Sequence, residues 1–427
     1  RTSPMVSRSI RYSTGHLPRG FYPQGSAYDG GMREVYVVAA VRTPIGKFGG
    51  VFKDVSPVDL GAHAMREALA RAGVEGKALD LYIFGNVLRA GHGQLLPRQA
   101  ALKAGIPKEV DGYQVDMVCA SGMMAALNAV QFLRTGEAHL VLAGGMESMS
   151  QAGFYLSHRA RWGYKFLLGA PENLQDILLR DGLSDPFTGE AMGEQAERLA
   201  QDHGVTRQEI DEAAYLSHKR AAEATEKGLF AWEIAPVEVQ GRKGPVVVDR
   251  DEGIRPETTL ESLAALRPAF KEDGVLTAGN SSQISDGAAA LLLGDREKAL
   301  ALGLRPRARF LARVVVAGDP TLQLLEVIPA AKKALERAGL SLRDVDVIEV
   351  NEAFASVVLA FLRELGADPE KVNPNGGAIA HGHPWGATGA VLMTKLLYEL
   401  ERTGGEFGLQ VMCIGHGQAT ATVIQRL

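Results

Sequence analysis

Val115-Asp116-Met117-Val118-Cys119-Ala120-Ser121-Gly122-Met123-Met124-Ala125-Ala126-Leu127 is the stretch whose reading decides the fold. An apolar, strand-like run from Val115 to Val118 leads into Cys119. After Ala120-Ser121-Gly122 an apolar helical pattern runs on to about Leu133. A strand-to-helix step is the building unit of an α/β protein. At such a junction backbone N–H groups and the helix dipole favour an anion, so a thiolate at Cys119 is expected to be stabilised. That makes Cys119 a candidate nucleophile. The competing reading is a small buried hydrophobe, the commonest fate of a free cysteine.

Bulk properties narrow the possibilities. At 427 residues the chain calls for two or three domains. Hydrophobic residues make up 46% and charged residues 22%, a globular balance. A net charge of -4 without a long basic run argues against nucleic acid as a partner. No apolar stretch approaches the ~18 charge-free residues of a membrane span. The two cysteines, Cys119 and Cys413, are too few for a disulfide framework or a structural zinc site and suit a reducing compartment. We therefore expect a cytoplasmic protein. Residues 1–31 differ from the rest: Arg1 to Tyr28 carries four arginines and no acid. An organellar transit peptide is one reading of this leader. A non-native or untranslated remnant is the preferred one, since no amphipathic face emerges.

From Met32 onward strands and helices alternate, which implies an α/β fold with largely parallel pairing. The chain then repeats itself. Ala68-Leu69-Ala70-Arg71-Ala72-Gly73 matches Ala334-Leu335-Glu336-Arg337-Ala338-Gly339; Ala120-Ser121-Gly122 matches Ala387-Thr388-Gly389; Arg134-Thr135-Gly136 matches Arg402-Thr403-Gly404. Nearly constant offsets of 266, 267 and 268 point to two similar halves. They are expected at 32–148, completed by about 285–300, and at 300–427. The insertion at 149–284 has its own texture. Helical spacing covers Met192–Asp202, a capping box Thr206-Arg207-Gln208-Glu209 opens a second helix, and Leu260–Phe270 reads as a third. An excursion of this size is expected to be a lid or binding domain.

Three segments of the second half carry polar groups into glycine-rich turns. They are Asn351-Glu352-Ala353-Phe354-Ala355, Gly376–Gly389 with His381 and His383, and Cys413-Ile414-Gly415-His416-Gly417. Metal is disfavoured, because no Cys/His/Asp cluster accompanies the two histidines. A thiolate nucleophile needs a base, which His383 supplies. A thioester intermediate needs oxyanion donors, which His383, Asn351 and glycine amides supply. Cys413 suits a second acid/base, since a thiol titrates near enough to neutrality to act both ways.

Across Met32–Leu427 the sequence resembles the thiolase family. The shared motifs are V-x-A-x-R-T-P-I-G-K-F-G-G from Val38, G-N-V-L at Gly85, V-C-A-S-G at Val118, A-G-G-M-E-S-M-S at Ala143, L-R-P-A-F at Leu266, T-A-G-N-S-S at Thr277, N-E-A-F at Asn351, G-G-A-I-A-x-G-H-P at Gly376 and C-x-G-x-G at Cys413. The resemblance implies two duplicated βαβαβαββ halves in a five-layer α-β-α-β-α arrangement with an inserted loop domain that binds coenzyme A. It implies ping-pong transfer of an acyl group between acyl-CoA and acetyl-CoA through an acyl-Cys119. His383 would activate Cys119 and form one oxyanion hole with a water held by Asn351. The amides of Cys119 and Gly415 would form the other, and Cys413 would act as general acid/base. Met192, Arg255, Ser262, Phe270, Ala278 and Ser282 would contact coenzyme A, and Phe354 would wall the acyl pocket. No cofactor is implied, coenzyme A thioesters being substrates; a homodimer or homotetramer is.

The chain departs from the family pattern at Ala191, where short-chain members carry histidine, and at Gln323 and Leu324-Leu325-Glu326-Val327. It departs again at His416, where the motif has its middle glycine. A side chain there is expected to crowd the turn or to bring a second imidazole near Cys413. A decarboxylating ketoacyl synthase on a similar fold and a non-catalytic acyl-CoA-binding protein are the rival readings. The first has no need of Cys413, the second of both cysteines with His383.

Overall fold

The computed structural model describes residues 32–163, 173–322 and 324–427. The leader at 1–31 and Gln323 lie outside the described residues. The first half runs β1 (Val35–Arg42), β2 (Gly46–Lys47), α1 (Pro57–Ala72), β3 (Leu81–Gly85), α2 (Leu96–Lys103), β4 (Asp111–Val115), α3 (Ser121–Thr135) and β5 (Leu140–Ser148). An excursion follows with β6 (Phe154–Tyr155), β7 (Gln175–Asp176), α4 (Met192–Asp202), α5 (Arg207–Glu226), β8 (Val237–Gly241), β9 (Gly244–Val248) and α6 (Leu260–Ala264). The chain returns through β10 (Ser285–Asp295) and α7 (Arg296–Ala301). The second half is β11 (Ala308–Ala317), α8 (Val327–Ala338), β12 (Val347–Val350), α9 (Ala355–Leu365), α10 (Ala378–His381), α11 (Trp385–Thr403), β13 (Phe407–Ile414) and β14 (Gln418–Arg426).

The two halves pair their strands alike. In the first, β4–β3 and β3–β5 are parallel, while β5–β10 and β10–β1 are antiparallel. In the second, Val372 bridges Ile348 in parallel and β12–β13 is parallel, while β13–β14 and β14–β11 are antiparallel. The halves join along β1 and β11 at Tyr36↔Arg309 and Val37↔Ala308. The repeated sequence segments fall on matching helix ends: Gly73 and Gly339 close α1 and α8, and Gly136 and Gly404 close α3 and α11, all four left-handed. A Cβ would clash in that conformation, so glycine ends the helix there.

Strand β10 shows the layering. Its alternate residues Ala289, Leu291 and Leu293 share a core with α3 and α11, while Ala288, Ala290 and Leu292 share another with α1. On β13, Met412 and Ile414 face the central core, and Leu409, Val411 and Cys413 face the core under α8 and α9. Helices α3 and α11 therefore lie between the two halves of one continuous sheet, with helices again on both outer faces. Helix α11 is apolar around most of its circumference, which suits a helix enclosed on all sides.

Glycines decide how closely the central helices meet. A Cβ on Gly122 would stand 2.7 Å from the Gly386 carbonyl, and one on Gly389 would strike the backbone of Met123. The first turns of α3 and α11 thus touch backbone to backbone. The loops that enter them, carrying Cys119 and His383, are brought side by side.

Three expectations need correction. The pairing is not largely parallel: among the described residues the main sheet has three parallel strand pairs and six antiparallel ones, because strands such as β13 and β14 follow each other through a short turn, which only antiparallel neighbours allow. The strand before Cys119 ends at Val115, not Val118. Asp116 accepts from the Val118 amide at 3.0 Å and Val118 turns to φ 47°, which takes the segment out of the ladder. The helix expected over Leu260–Phe270 stops at Ala264. Arg267 precedes Pro268, and a residue before proline is driven out of helical geometry.

Candidate active site

Cys119 sits at the tip of the turn between β4 and α3, 3% exposed. The turn is strapped by one hydroxyl: Ser121 Oγ accepts from the Met117 amide at 2.8 Å and donates to the Val118 carbonyl at 2.7 Å. Val118 holds its left-handed φ although it is β-branched, a costly conformation that the surroundings must impose. Two amides converge on the Cys119 sulfur, its own and that of Gly415. The expected stabilised thiolate is not what this environment produces. Burial and the neighbouring Cys413 thiol push the Cys119 thiol above its ordinary range, and the two amides offset this only in part.

His383 lies 3% exposed at the entry to α11. Its Nδ1 is 2.6 Å from Thr388 Oγ1, and that hydroxyl donates its single proton to the Pro384 carbonyl at 3.0 Å. Thr388 can therefore only accept from the ring. Nδ1 carries the proton and Nε2 presents its lone pair. Nε2 is 3.4 Å from Asn351 Nδ2. Burial pushes the imidazole down to about 3, which keeps it neutral near pH 7. Asn351 is fully buried, and among the described residues its Oδ1 has no hydrogen-bond partner. Such an orphan acceptor is uncommon inside a protein and points to a polar ligand or water at this spot. Among the described residues no hydrogen bond joins His383 to Cys119, a contact that often tightens only when substrate is bound.

Cys413 is the penultimate residue of β13, opposite Ala419 of β14. It is fully buried, and burial pushes its thiol up to about 12. The hairpin turn places Gly415 with no group nearer to its Cβ position than Val118 Cγ1 at 3.8 Å. His416 adopts φ 69°, the region that glycine tolerates and a side chain resists. Its ring meets Phe187 edge to face with centroids 5.6 Å apart.

Several supporting residues escaped sequence reading. The buried Glu147 carboxylate accepts from the amides of Val87 and Leu88 at 3.1 Å, from Asn86 Nδ2 at 3.0 Å and from the Gly386 amide at 2.9 Å. It ties the loop after β3 to the first turn of α11, and burial pushes it up to about 7. Glu352, beside Asn351, accepts from Ser217 Oγ at 2.7 Å and the Ile379 amide at 3.1 Å, which fixes the glycine-rich approach to His383. Arg42 is wholly buried, doubly bonded to Asp251 at 2.7 and 3.0 Å and to Glu233 at 2.8 Å; Asp251 also meets His381 at 2.7 Å. His381 is thus engaged in this ion network and does not join His383. The motifs around Arg42, Glu147 and Glu352 were legible as motifs, but not what they grip.

The residues expected to contact coenzyme A are distributed unevenly. Phe270 and Phe354 stack edge to face at 5.8 Å, and the Ser282 amide donates to the Ala353 carbonyl at 3.0 Å. Met192 opens α4 and lines a cavity of about 250 Å³ together with Val118 and Gly415. Ala278, Arg255 and Ser262 are exposed; Arg255 donates its amide to His218 and Ser262 caps its own short helix. Among the described residues no hydrogen bond links Arg255 or Ser262 to the catalytic side chains. Leu324 and Val327 are core residues under α8 and line no part of that cavity. Among the described residues no helix is long and apolar enough to cross a membrane.

Comparison with known proteins follows this geometry. The thiolase N-terminal domain family matches residues 35–297 and the thiolase C-terminal domain family matches residues 304–426. An acetyl-CoA acetyltransferase of Synechocystis sp. is 58% identical over 93% of this chain and all of its own length. The crystal structure of the Bacillus anthracis acetyl-CoA acetyltransferase superposes with a TM-score of 0.89 at 41% identity, covering 93% of this chain and 99% of its own. That of human mitochondrial 3-ketoacyl-CoA thiolase gives 0.89 at 40% identity, covering 93% of this chain and all of its own. With both halves matched, and relatives aligned end to end on a shared duplicated fold, the chain belongs to the thiolase family.

Proposed function

We propose that this protein is an acyl-CoA:acetyl-CoA C-acyltransferase that makes or cleaves a 3-ketoacyl-CoA such as acetoacetyl-CoA, and that Cys119 carries the acyl group. The observation that carries this reading is the convergence of the Cys119 and Gly415 amides on the Cys119 sulfur, with the Cys413 thiol beside it. In the first half-reaction the Cys119 sulfur attacks the thioester carbon while its proton passes to Nε2 of His383. The C–S bond to coenzyme A then breaks, and the leaving thiolate takes that proton. In the second, the Cys413 thiol passes its proton to Nε2 of His383 as its sulfur takes a methyl proton from acetyl-CoA, the resulting carbon attacks the acyl-Cys119, and the leaving Cys119 sulfur takes the proton back from His383. Cleavage is the reverse. Since both thiols are held protonated by burial, proton removal is concerted with attack rather than complete beforehand.

Met192, Phe270, Ala278, Ser282 and Phe354, with Arg255 and Ser262 farther out, are read as the coenzyme A and acyl contacts. The inserted segment 149–284 is read as the loop domain that carries most of them. Among the described residues β4 has no strand on its outer edge, which supports assembly as a homodimer or homotetramer, since an unpaired strand edge is a template for another chain. Two free cysteines suit the reducing cytoplasm. The test is radiolabelled acetyl-CoA with two variants. Cys413→Ser is expected to accumulate label on Cys119 without turnover, and Cys119→Ser to take up none. Full turnover by Cys119→Ser would refute the proposal.

A further inference from the structure

The two halves of the sheet part beyond Val37. β1 and β11 pair only at Tyr36↔Arg309 and Val37↔Ala308, and Val38, Ala39 and Ala40 line a cavity of about 1010 Å³ instead. Its other walls include the segment after α5, between Lys227 and Pro236, and the later turns of α11, between Lys395 and Arg402. The volume stands at the top of the roughly 300–1,000 Å³ of small-molecule sites. None of Cys119, His383, Asn351 and Cys413 lines it, nor does any residue read as a coenzyme A contact. Lys395 lies about 15 Å along α11 from its first turn, at a rise of roughly 1.5 Å per residue.

Cations outnumber acids in the walls: Arg71, Lys227, Arg307, Lys395 and Arg402 against Glu233, Glu399 and Glu401. Each acid is already engaged. Glu401 accepts from Arg307 at 2.8 and 2.6 Å, Glu399 from Arg402 at 3.0 Å, and Glu233 from Arg42 at 2.8 Å. Arg71 donates to the Trp232 and Ile234 carbonyls, which pins the segment that carries the indole. Lys227 is exposed and forms no ion pair among the described residues.

Lys395 is 3% exposed, yet among the described residues its ammonium uses one of its three N–H donors, on the Gly376 carbonyl at 2.7 Å, and otherwise stands 5.8 Å from the centre of the Phe230 ring. The carboxyl 3.9 Å away belongs to Glu349, which burial pushes up to about 8, so it does not balance that charge near pH 7. A buried cation without a full set of partners costs free energy, and an anion in the cavity offsets it. Trp232 is 79% exposed, and among the described residues no ring or cation stacks on its indole.

We propose that this cavity is a nucleotide site separate from the catalytic cysteines, in which Lys395 and Lys227 receive the phosphates and the Trp232 indole stacks on the base. A free phosphate ion would leave most of the volume unfilled.

The test is calorimetric titration with adenosine 5′-diphosphate, without and with saturating coenzyme A, of the parent, Trp232→Ala and Lys227→Glu. The parent is expected to bind it saturably, and each variant to raise Kd by about tenfold or more, as loss of a stacking platform or of a phosphate-facing charge does. Both replaced side chains are exposed, so the variants fold; Lys395→Met is expected to weaken binding likewise, and should it fail to fold the two exposed variants still decide. Two outcomes uphold the site and distinguish its occupant. Binding retained beside saturating coenzyme A makes a free nucleotide the occupant, whereas displacement by coenzyme A, with the losses in both variants intact, makes the coenzyme's own nucleotide end the occupant. No saturable binding by the parent, or an unchanged Kd in both exposed variants, overturns the proposal.

Discussion

Thr388 determines which nitrogen of His383 carries the proton and which presents a lone pair. The hydroxyl, 2.6 Å from Nδ1, has spent its proton on the Pro384 carbonyl, so the ring must donate to it and keep Nε2 free. Thr388 occupies the same repeat position as Ser121, which straps the Cys119 turn. One small hydroxyl per half thus orients one catalytic loop.

Thr388→Val leaves the buried Nδ1–H without an acceptor, at a cost of ~1–3 kcal/mol. Turnover is expected to fall roughly 10- to 100-fold with little change in KM, and Thr388→Ser to restore most of it. Steady-state kinetics of acetoacetyl-CoA thiolysis decide this; equal activity of the valine and serine variants would dismiss the tautomer argument.

Both thiols are raised by burial, Cys413 to about 12 and Cys119 beyond the ordinary range. A raised thiol stays protonated in the folded chain above the pH at which the unfolded one ionises. Stability from this source is present below the ordinary thiol value of 9.0 and is lost as pH rises above it. Thiolate absorbance of the substrate-free protein is expected to stay flat through pH 9 and to appear only with alkaline unfolding. A titration near pH 8 in the folded protein would contradict it.

Glu349 is buried under α11; among the described residues neither carboxylate oxygen has a hydrogen-bond partner, and Lys395 Nζ stands 3.9 Å away. Burial pushes it up to about 8 from an ordinary 4.5. The folded chain therefore holds a proton that the unfolded chain releases. The contribution is present below pH 4.5 and is lost as pH climbs through about 8. Denaturant unfolding of Glu349→Gln against the parent at pH 5, 7 and 9 should show the variant gaining relative stability with pH, by at most ~1.4 kcal/mol per pH unit. A constant difference across that range would argue against a buried neutral carboxyl.

Arg42→Met strips the partner from Asp251 and Glu233 in a fully buried network and is expected to cost ~3–5 kcal/mol in chemical denaturation. Arg42→Lys is expected to recover little, since the double contact to Asp251 and the third to Glu233 use the guanidinium fork. Full rescue by lysine would show that charge alone matters there.

The sequence by itself determined the α/β order, the internal repeat and the segments that carry the candidate site residues. Those signals are local: hydrophobic period, a left-handed glycine after each long helix, a cysteine before a helical run. Even the anomaly at His416 was visible, because a glycine turn with a side chain in it stands out in one dimension. Tertiary structure alone decided which groups meet. Glu147 grips Gly386 from 239 residues away, Ser217 holds Glu352 across 135, and Arg42 finds Asp251 across 209. It also decided that Cys119 is a raised thiol, since the helix end seen in sequence favours the anion while the burial seen only in three dimensions opposes it more strongly. Local conformation follows from neighbours along the chain, but desolvation and hydrogen-bond partnership depend on what the fold packs around a group, and that is set by residues far away in sequence.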